Sequence, residues 1–218
     1  MGVAIRRAGA GDRDVVAKLL DEAFQQDPVS SWVFPDPEDR GRTHIRLMGG
    51  FLDAALAEGY VDMTEDGAAA ALWLSVPAHE DAAGAESAAD ADADATDDGQ
   101  AADGPAEFRE LVDPGNERVE RIARLLEAAH PKGRAHEYLM LIAVSEDVQG
   151  QGVGTLLIDA VLDRCDREGL AAYLEASSMR SRALYERLGF AFTGTTVDLP
   201  DGPQMWPMWR EPRAAARS

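Results

Sequence analysis

"LIAVSEDVQGQGVGTLLIDAVLDRC", Leu141 to Cys165, joins an apolar run, a loop with three alternating glycines and an amphipathic run. The apolar run reaches back to Tyr138 without a polar interruption, as a strand covered on both faces would read. Gly152 to Glu168 predicts a helix stopped by Gly169, and Ala171 to Glu175 predicts the next strand. Strand, loop, helix and strand in this order form a crossover unit, expected to be right-handed with parallel strands. Its loop then lies at a helix N-terminus, where unpaired amides and the positive end of the dipole favour a phosphate or diphosphate. Side chains at Gly152 and Gly154 are expected to intrude on the phosphate oxygens, and Gly150 can take dihedrals that bulkier residues resist.

Outward from this unit the pattern stays mixed. A strand is predicted at Val3 to Arg7 and a helix from Asp12 to Phe24, ended by Pro28. After the loop "DPVSSWVFPDPED" come a helix over Glu38 to Glu58 and a hairpin of Tyr60 to Thr64 with Ala68 to Val76, turned at "EDG". Glu80 to Glu107 holds ten acidic residues, no Lys or Arg and no aromatic or branched aliphatic side chain. It reads as a solvated insertion, because it cannot bury enough to order itself. Helices follow over Glu117 to Ala129 and Met179 to Leu188, with last strands at Phe192 to Asp198 and Met205 to Arg210. The fold class is α/β, with a central mixed sheet flanked by helices and a parallel β-α-β crossover carrying the phosphate loop. The length of 218 residues suits one domain, 1–218, with the acidic insertion inside it.

Forty acidic residues against twenty-one basic ones give a formal charge of -19, which repels nucleic acid and anionic lipid. Neither is expected as a partner, and the acidity suits a saline cytoplasm. No apolar run approaches the ~18 residues of a membrane span, and the first residues lack an apolar signal core, so a cytoplasmic location is expected. Cys165, the single cysteine, allows no internal disulfide and is expected to be buried as a small apolar side chain.

Two nucleotide motifs fail at the loop. Gly150 and Gly152 are followed by Thr155 where a dinucleotide fingerprint needs glycine, and "GVGTLL" lacks the lysine of a P-loop. Gln149-Gly150-Gln151-Gly152-Val153-Gly154 instead resembles the Q/R-x-x-G-x-G/A signature of the GNAT superfamily of acyl-CoA-dependent N-acetyltransferases. The resemblance extends to "YLMLIAV" before the loop and "ALYERLGF" after it. It implies that acetyl-CoA is the acyl donor, with its diphosphate on the amides from Gln149 to Thr155, Val153 included. Its pantetheine arm would lie along Ile142, Ala143 and Val144. Two departures stand out: Gln151 occupies a place where the family often has Arg or Lys, and Ser181 a place where it commonly has Asn. Arg180 and Arg182 are candidates for the ribose phosphate.

Acyl transfer to an amine needs a neutral nucleophile, an oxyanion donor and a proton for the departing thiolate. The resemblance puts Tyr185 in the place of the general acid and the backbone N–H near Val144 at the oxyanion. Glu137 is the first choice of base and His136 the second, with water alone as a further alternative; alternation along a strand sends the two side chains to opposite faces. "HEYLM" lacks the second histidine of a zinc site, and no metal is expected. The resemblance implies that the loop from Asp27 to Asp36, with Trp32 and Phe34, borders the acceptor pocket, while Trp206 and Trp209 read as core. The acceptor is expected to be a small-molecule amine or a protein N-terminal amine, and the chain a monomer or homodimer. The rival readings are a non-catalytic acyl-CoA sensor of the same fold and a nucleotide-binding protein.

Overall fold

The computed structural model describes residues 3–78 and 103–213. In chain order they form β1 (Ile5–Arg7), α1 (Arg13–Phe24), α2 (Pro28–Val33), α3 (Pro37–Glu58), β2 (Gly59–Thr64) and β3 (Ala69–Val76). Then come α4 (Gly104–Val112), α5 (Glu117–Ala129), β4 (His136–Val144), α6 (Val153–Glu168), β5 (Ala171–Ala176) and α7 (Met179–Arg187). The short β6 (Ala191–Phe192) and β7 (Val197–Asp198) precede β8 (Gln204–Arg210). The strands make one mixed sheet in the order β1-β2-β3-β4-β5-β8-β6, with β7 also on β8. Only the β4–β5 pair is parallel among the described strands, as the crossover requires.

One face of the sheet packs on α1, α3 and α5 through residues such as Leu20, Leu52, Val61 and Leu72. The other packs on α6 and α7 through Trp73, Leu157, Ile158 and Leu174. No described helix is long and apolar enough to cross a membrane.

Three local expectations change. Pro28 does not simply end a helix but begins α2: Asp27 Oδ1 accepts the amides of Val29 (2.8 Å) and Ser30 (3.4 Å), with the proline in the first turn. Asp at the N-cap and Pro just inside it are a favoured helix start. The predicted strand from Phe192 to Asp198 splits into β6 and β7, because Gly194 turns to φ 103° between them. The acidic insertion lies mostly outside the described residues, but residues 104–107 belong to α4. That helix docks by Phe108, whose ring sits 5.0 Å from that of Phe51. Gly50 makes room beneath it, since a Cβ there would lie 2.6 Å from Phe108 Cε2.

The feature that creates a site is in β4. Leu141 pairs with Leu72 and Leu139 with Trp73, which leaves Met140 as an extra residue and bulges the strand. Bulges bend a strand and increase its twist. Pairing with β5 is correspondingly confined to His136–Tyr138 against Ala171–Tyr173, and the two strands part beyond it.

Candidate active site

The parting of β4 and β5 opens a cleft of about 710 Å³ that runs from the head of α6 to α2 and α3. Its long wall is the unpaired edge of β4. The Ser145 amide bonds the Ala68 carbonyl at 2.8 Å. By the alternation of an antiparallel ladder, Ile142 and Val144 then turn their N–H and C=O groups toward the open edge.

At one end, the amides of Gly152, Val153, Gly154 and Thr155 have no hydrogen-bond acceptor among the described residues, since helical bonding begins with Leu156 to the Gly152 carbonyl. Such a helix head can hold a phosphate or diphosphate. Gly150 and Gly152 both have positive φ, 77° and 83°, and a Cβ at either would meet nothing within 4 Å. The cradle over them is open. Gly154 differs from the sequence expectation: a Cβ there would meet Val144 Cγ2 at 3.2 Å, so this glycine lets α6 approach β4.

Gln149 donates its side-chain amide to the Val144 carbonyl (3.0 Å) and Gln151 to the Asp147 carbonyl (3.1 Å). Both brace the loop, and Gln151 does not line the cleft. Ser181 lines it, but its hydroxyl is engaged with Ser178 in the cap of α7. Arg180 and Arg187 supply positive charge at this end. Arg182 does not, being paired with Glu186 at 3.0 Å and stacked on Phe192.

Tyr185, Glu175 and Asp27 also line the cleft. Burial, and then the charge of Asp27, push the Tyr185 phenol up to about 12, so it stays protonated at neutral pH. Asp27 is raised as well, by burial, although the Ser177 hydroxyl (2.7 Å) and two α2 amides pull it down. Glu175 projects from β5 where that strand leaves β4. Its Oε1 is sealed from solvent and has no hydrogen-bond partner. Burial pushes its carboxyl up to about 7, against the pull of the Tyr173 and Tyr138 hydroxyls. A carboxylate near 7 with a free oxygen in a cleft is suited to accept a proton.

Sequence reading did not single out Glu175 or Asp27. The available signals were an acid inside the otherwise apolar strand "AAYLEA" and the Asp-Pro helix start. The residues it proposed instead lie elsewhere. Glu137 is buried on the far side of β4, where its Oε2 accepts the Tyr60 hydroxyl (2.7 Å). Its Oε1 accepts the Ser75 hydroxyl (2.9 Å) and faces Arg164 at 3.0 Å. Both oxygens are spent, and it does not line the cleft. His136 is also off the cleft: its Nδ1 donates to the Arg134 carbonyl (2.7 Å) and its Nε2 lies 3.0 Å from His130 Nε2.

Trp32 and Phe34 are buried outside the cleft. Trp32 Nε1 donates to the Pro200 carbonyl at 2.8 Å and its ring covers Gly202, while Phe34 stands edge-on to His44. They anchor α2, and its Asp27, Val29, Ser30 and Val33 face the cleft in their place. Cys165 is buried, and burial raises its thiol to about 11.

Comparison with known proteins agrees with this architecture. Residues 107–190 match the model of the acetyltransferase (GNAT) family. An uncharacterised N-acetyltransferase of Schizosaccharomyces pombe is 42% identical over 55 residues, which cover 25% of this chain and 22% of that relative's length. Among solved structures, one described as histone acetyltransferase HPA2 and related acetyltransferase, from Corynebacterium glutamicum, superposes with a TM-score of 0.68 at 24% identity over 100% of both chains. Arylalkylamine N-acetyltransferase 2 from Aedes aegypti does so with a TM-score of 0.61 at 14% identity, over 98% of this chain and 100% of that one. Both are likenesses of fold.

Proposed function

We propose that the chain is an acetyltransferase of the GNAT type, which moves an acetyl group from acetyl-CoA to a primary amine by direct attack in a ternary complex. The observation that carries the proposal is one cleft holding unpartnered helix-head amides, an unpaired strand edge, a buried phenol and an orphaned carboxylate oxygen.

Acetyl-CoA supplies the activated thioester carbonyl. The amides from Gly152 to Thr155 hold its diphosphate with the α6 dipole behind them, and Arg180 and Arg187 add charge at the rim. The β4 edge at Ile142 and Val144 bonds the pantetheine amides, and the Val144 N–H is the donor nearest the developing oxyanion. Glu175, rather than Glu137 or His136, takes the proton that an alkylammonium of pKa ~10.4 must lose before attack. Tyr185 gives its phenolic proton to the departing thiolate and regains one from the nitrogen, which sheds its second proton as the tetrahedral intermediate collapses to the amide.

The test is Tyr185→Phe assayed by thiol release from acetyl-CoA. Turnover is expected to fall by about 10²-fold or more, with CoA affinity by calorimetry unchanged. Parallel loss of both would remove the phenol from the chemistry and assign it to binding.

A further inference from the structure

Among the described residues that line the cleft the cations are Arg180 and Arg187, both on α7, and the carboxylates are Asp27, which caps α2, and Glu175, on β5. On its α1, α2, α3 and α5 side the wall is apolar: Phe24, Val33, Leu47, Met48, Phe51 and Leu126 face it. Of the polar side chains on this side, Gln26 is exposed to solvent and the two serine hydroxyls already donate their protons. Ser177 gives its hydroxyl proton to Asp27. Ser30 bonds Nε2 of His44, whose Nδ1 is taken by Asp21 at 2.7 Å and whose protonation burial disfavours.

We infer that the acceptor is a small monoamine whose ammonium sits between Asp27 and Glu175 and whose aromatic or branched aliphatic body fills the apolar side. This rests on the acetyltransferase reading of the same cleft. A second ammonium, as on a polyamine, would lie against apolar wall without a counter-charge. An amine bearing its own carboxylate would bring a third negative charge to two, with no Lys or Arg among the lining residues of α1, α2, α3 and α5 to offset it. A peptide N-terminus would place its first carbonyl where both neighbouring hydroxyl protons are already given away, to Asp27 and to His44. Asp27 thus binds the substrate directly. It also ties α2 to the β5–α7 junction through Ser177, so that acceptor wall and Tyr185 move as one.

The experiment measures thiol release from acetyl-CoA with 2-phenylethylamine, 3-methylbutylamine, spermidine, β-alanine and a hexapeptide with a free N-terminus. Acetyl-CoA binding is followed separately by calorimetry. The two apolar amines are expected to exceed the others by about 100-fold in kcat/KM, mainly through KM, with roughly tenfold lost for each methylene trimmed from the body. Asp27→Asn, which keeps a good helix cap, is expected to raise KM for 2-phenylethylamine by about tenfold or more while KM for acetyl-CoA and the melting temperature hold. Preference for spermidine, β-alanine or the peptide would overturn the inference and leave acetyl transfer standing. Binding of acetyl-CoA with no amine turned over would overturn transfer itself, and the acceptor assignment with it.

Discussion

Glu175 carries the most consequence of any single residue because its environment opposes the charge its chemistry needs. Its carboxyl moves from an ordinary 4.5 up to about 7. Thus kcat/KM should rise with pH through a limb near 7, and the phenol of Tyr185, at about 12, adds no second limb in the neutral range. Glu175→Gln should lower kcat/KM by about 10²-fold at pH 7.5 and abolish that limb.

Stability should move the other way. A carboxyl whose folded pKa is raised stabilises the protein fully below its unfolded pKa, and that contribution is lost as pH rises through the folded pKa, here between about 4.5 and 7. The same variant should therefore be more stable than the parent at pH 8, by on the order of 3 kcal/mol, and indistinguishable from it at pH 4.5. Urea unfolding at the two pH values checks this.

At the scale of elements, β4 divides two kinds of buried carboxylate. Beyond the bulge at Met140 the β5 side of the strand is open and Glu175 Oε1 has no partner, whereas at Glu137 β4 is paired with β3 and the carboxylate packs among Tyr60, Ser75 and Arg164. Glu137 therefore joins β2, β3, β4 and α6. Glu137→Ala leaves the Arg164 guanidinium, itself partly exposed, without its strongest partner and is expected to destabilise by about 3 kcal/mol. The midpoint of urea unfolding should fall while kcat per folded molecule stays near the parent value. A large loss of kcat with unchanged stability would return Glu137 to the reaction. The same strand explains Gly154: its missing side chain lets the head of α6 close on Val144, which places the unpaired amides beside the open edge.

Over the whole molecule, the surface carries the formal charge of -19, and several arginines are already committed to acids, as in Arg6–Asp12, Arg13–Asp53 and Arg134–Glu211. The remaining acids repel one another over a screening length of ~10 Å in 0.1 M salt and ~3 Å at 1 M. The melting temperature is expected to rise by about 5 °C or more between 0.1 M and 2 M KCl. A flat or falling profile would show that the charge is dispersed widely enough not to strain the fold.

The sequence by itself determined what depends on neighbours along the chain. The run from Tyr138 to Glu175 spelled a crossover, Gly150 marked a positive φ before a helix head, and α5 fell at Glu117–Ala129 as its periodicity predicted, whereas the positive φ of Gly152 appeared only in the structure. Tyr185 was singled out only through the resemblance of "ALYERLGF" to the family, and the structure places it on the wall of the cleft. Which carboxylate is free to act was decided only by the tertiary structure. Glu137 is silenced by partners 77, 62 and 27 positions away, and Glu175 keeps an oxygen without a hydrogen-bond partner where β5 parts from the bulged β4. Trp32 and Phe34 likewise turned inward because Gly202 and His44, remote in sequence, receive them. Pattern along a chain sets backbone conformation, but the availability of a polar atom depends on burial and on partners that only the packed sheet and helices bring together.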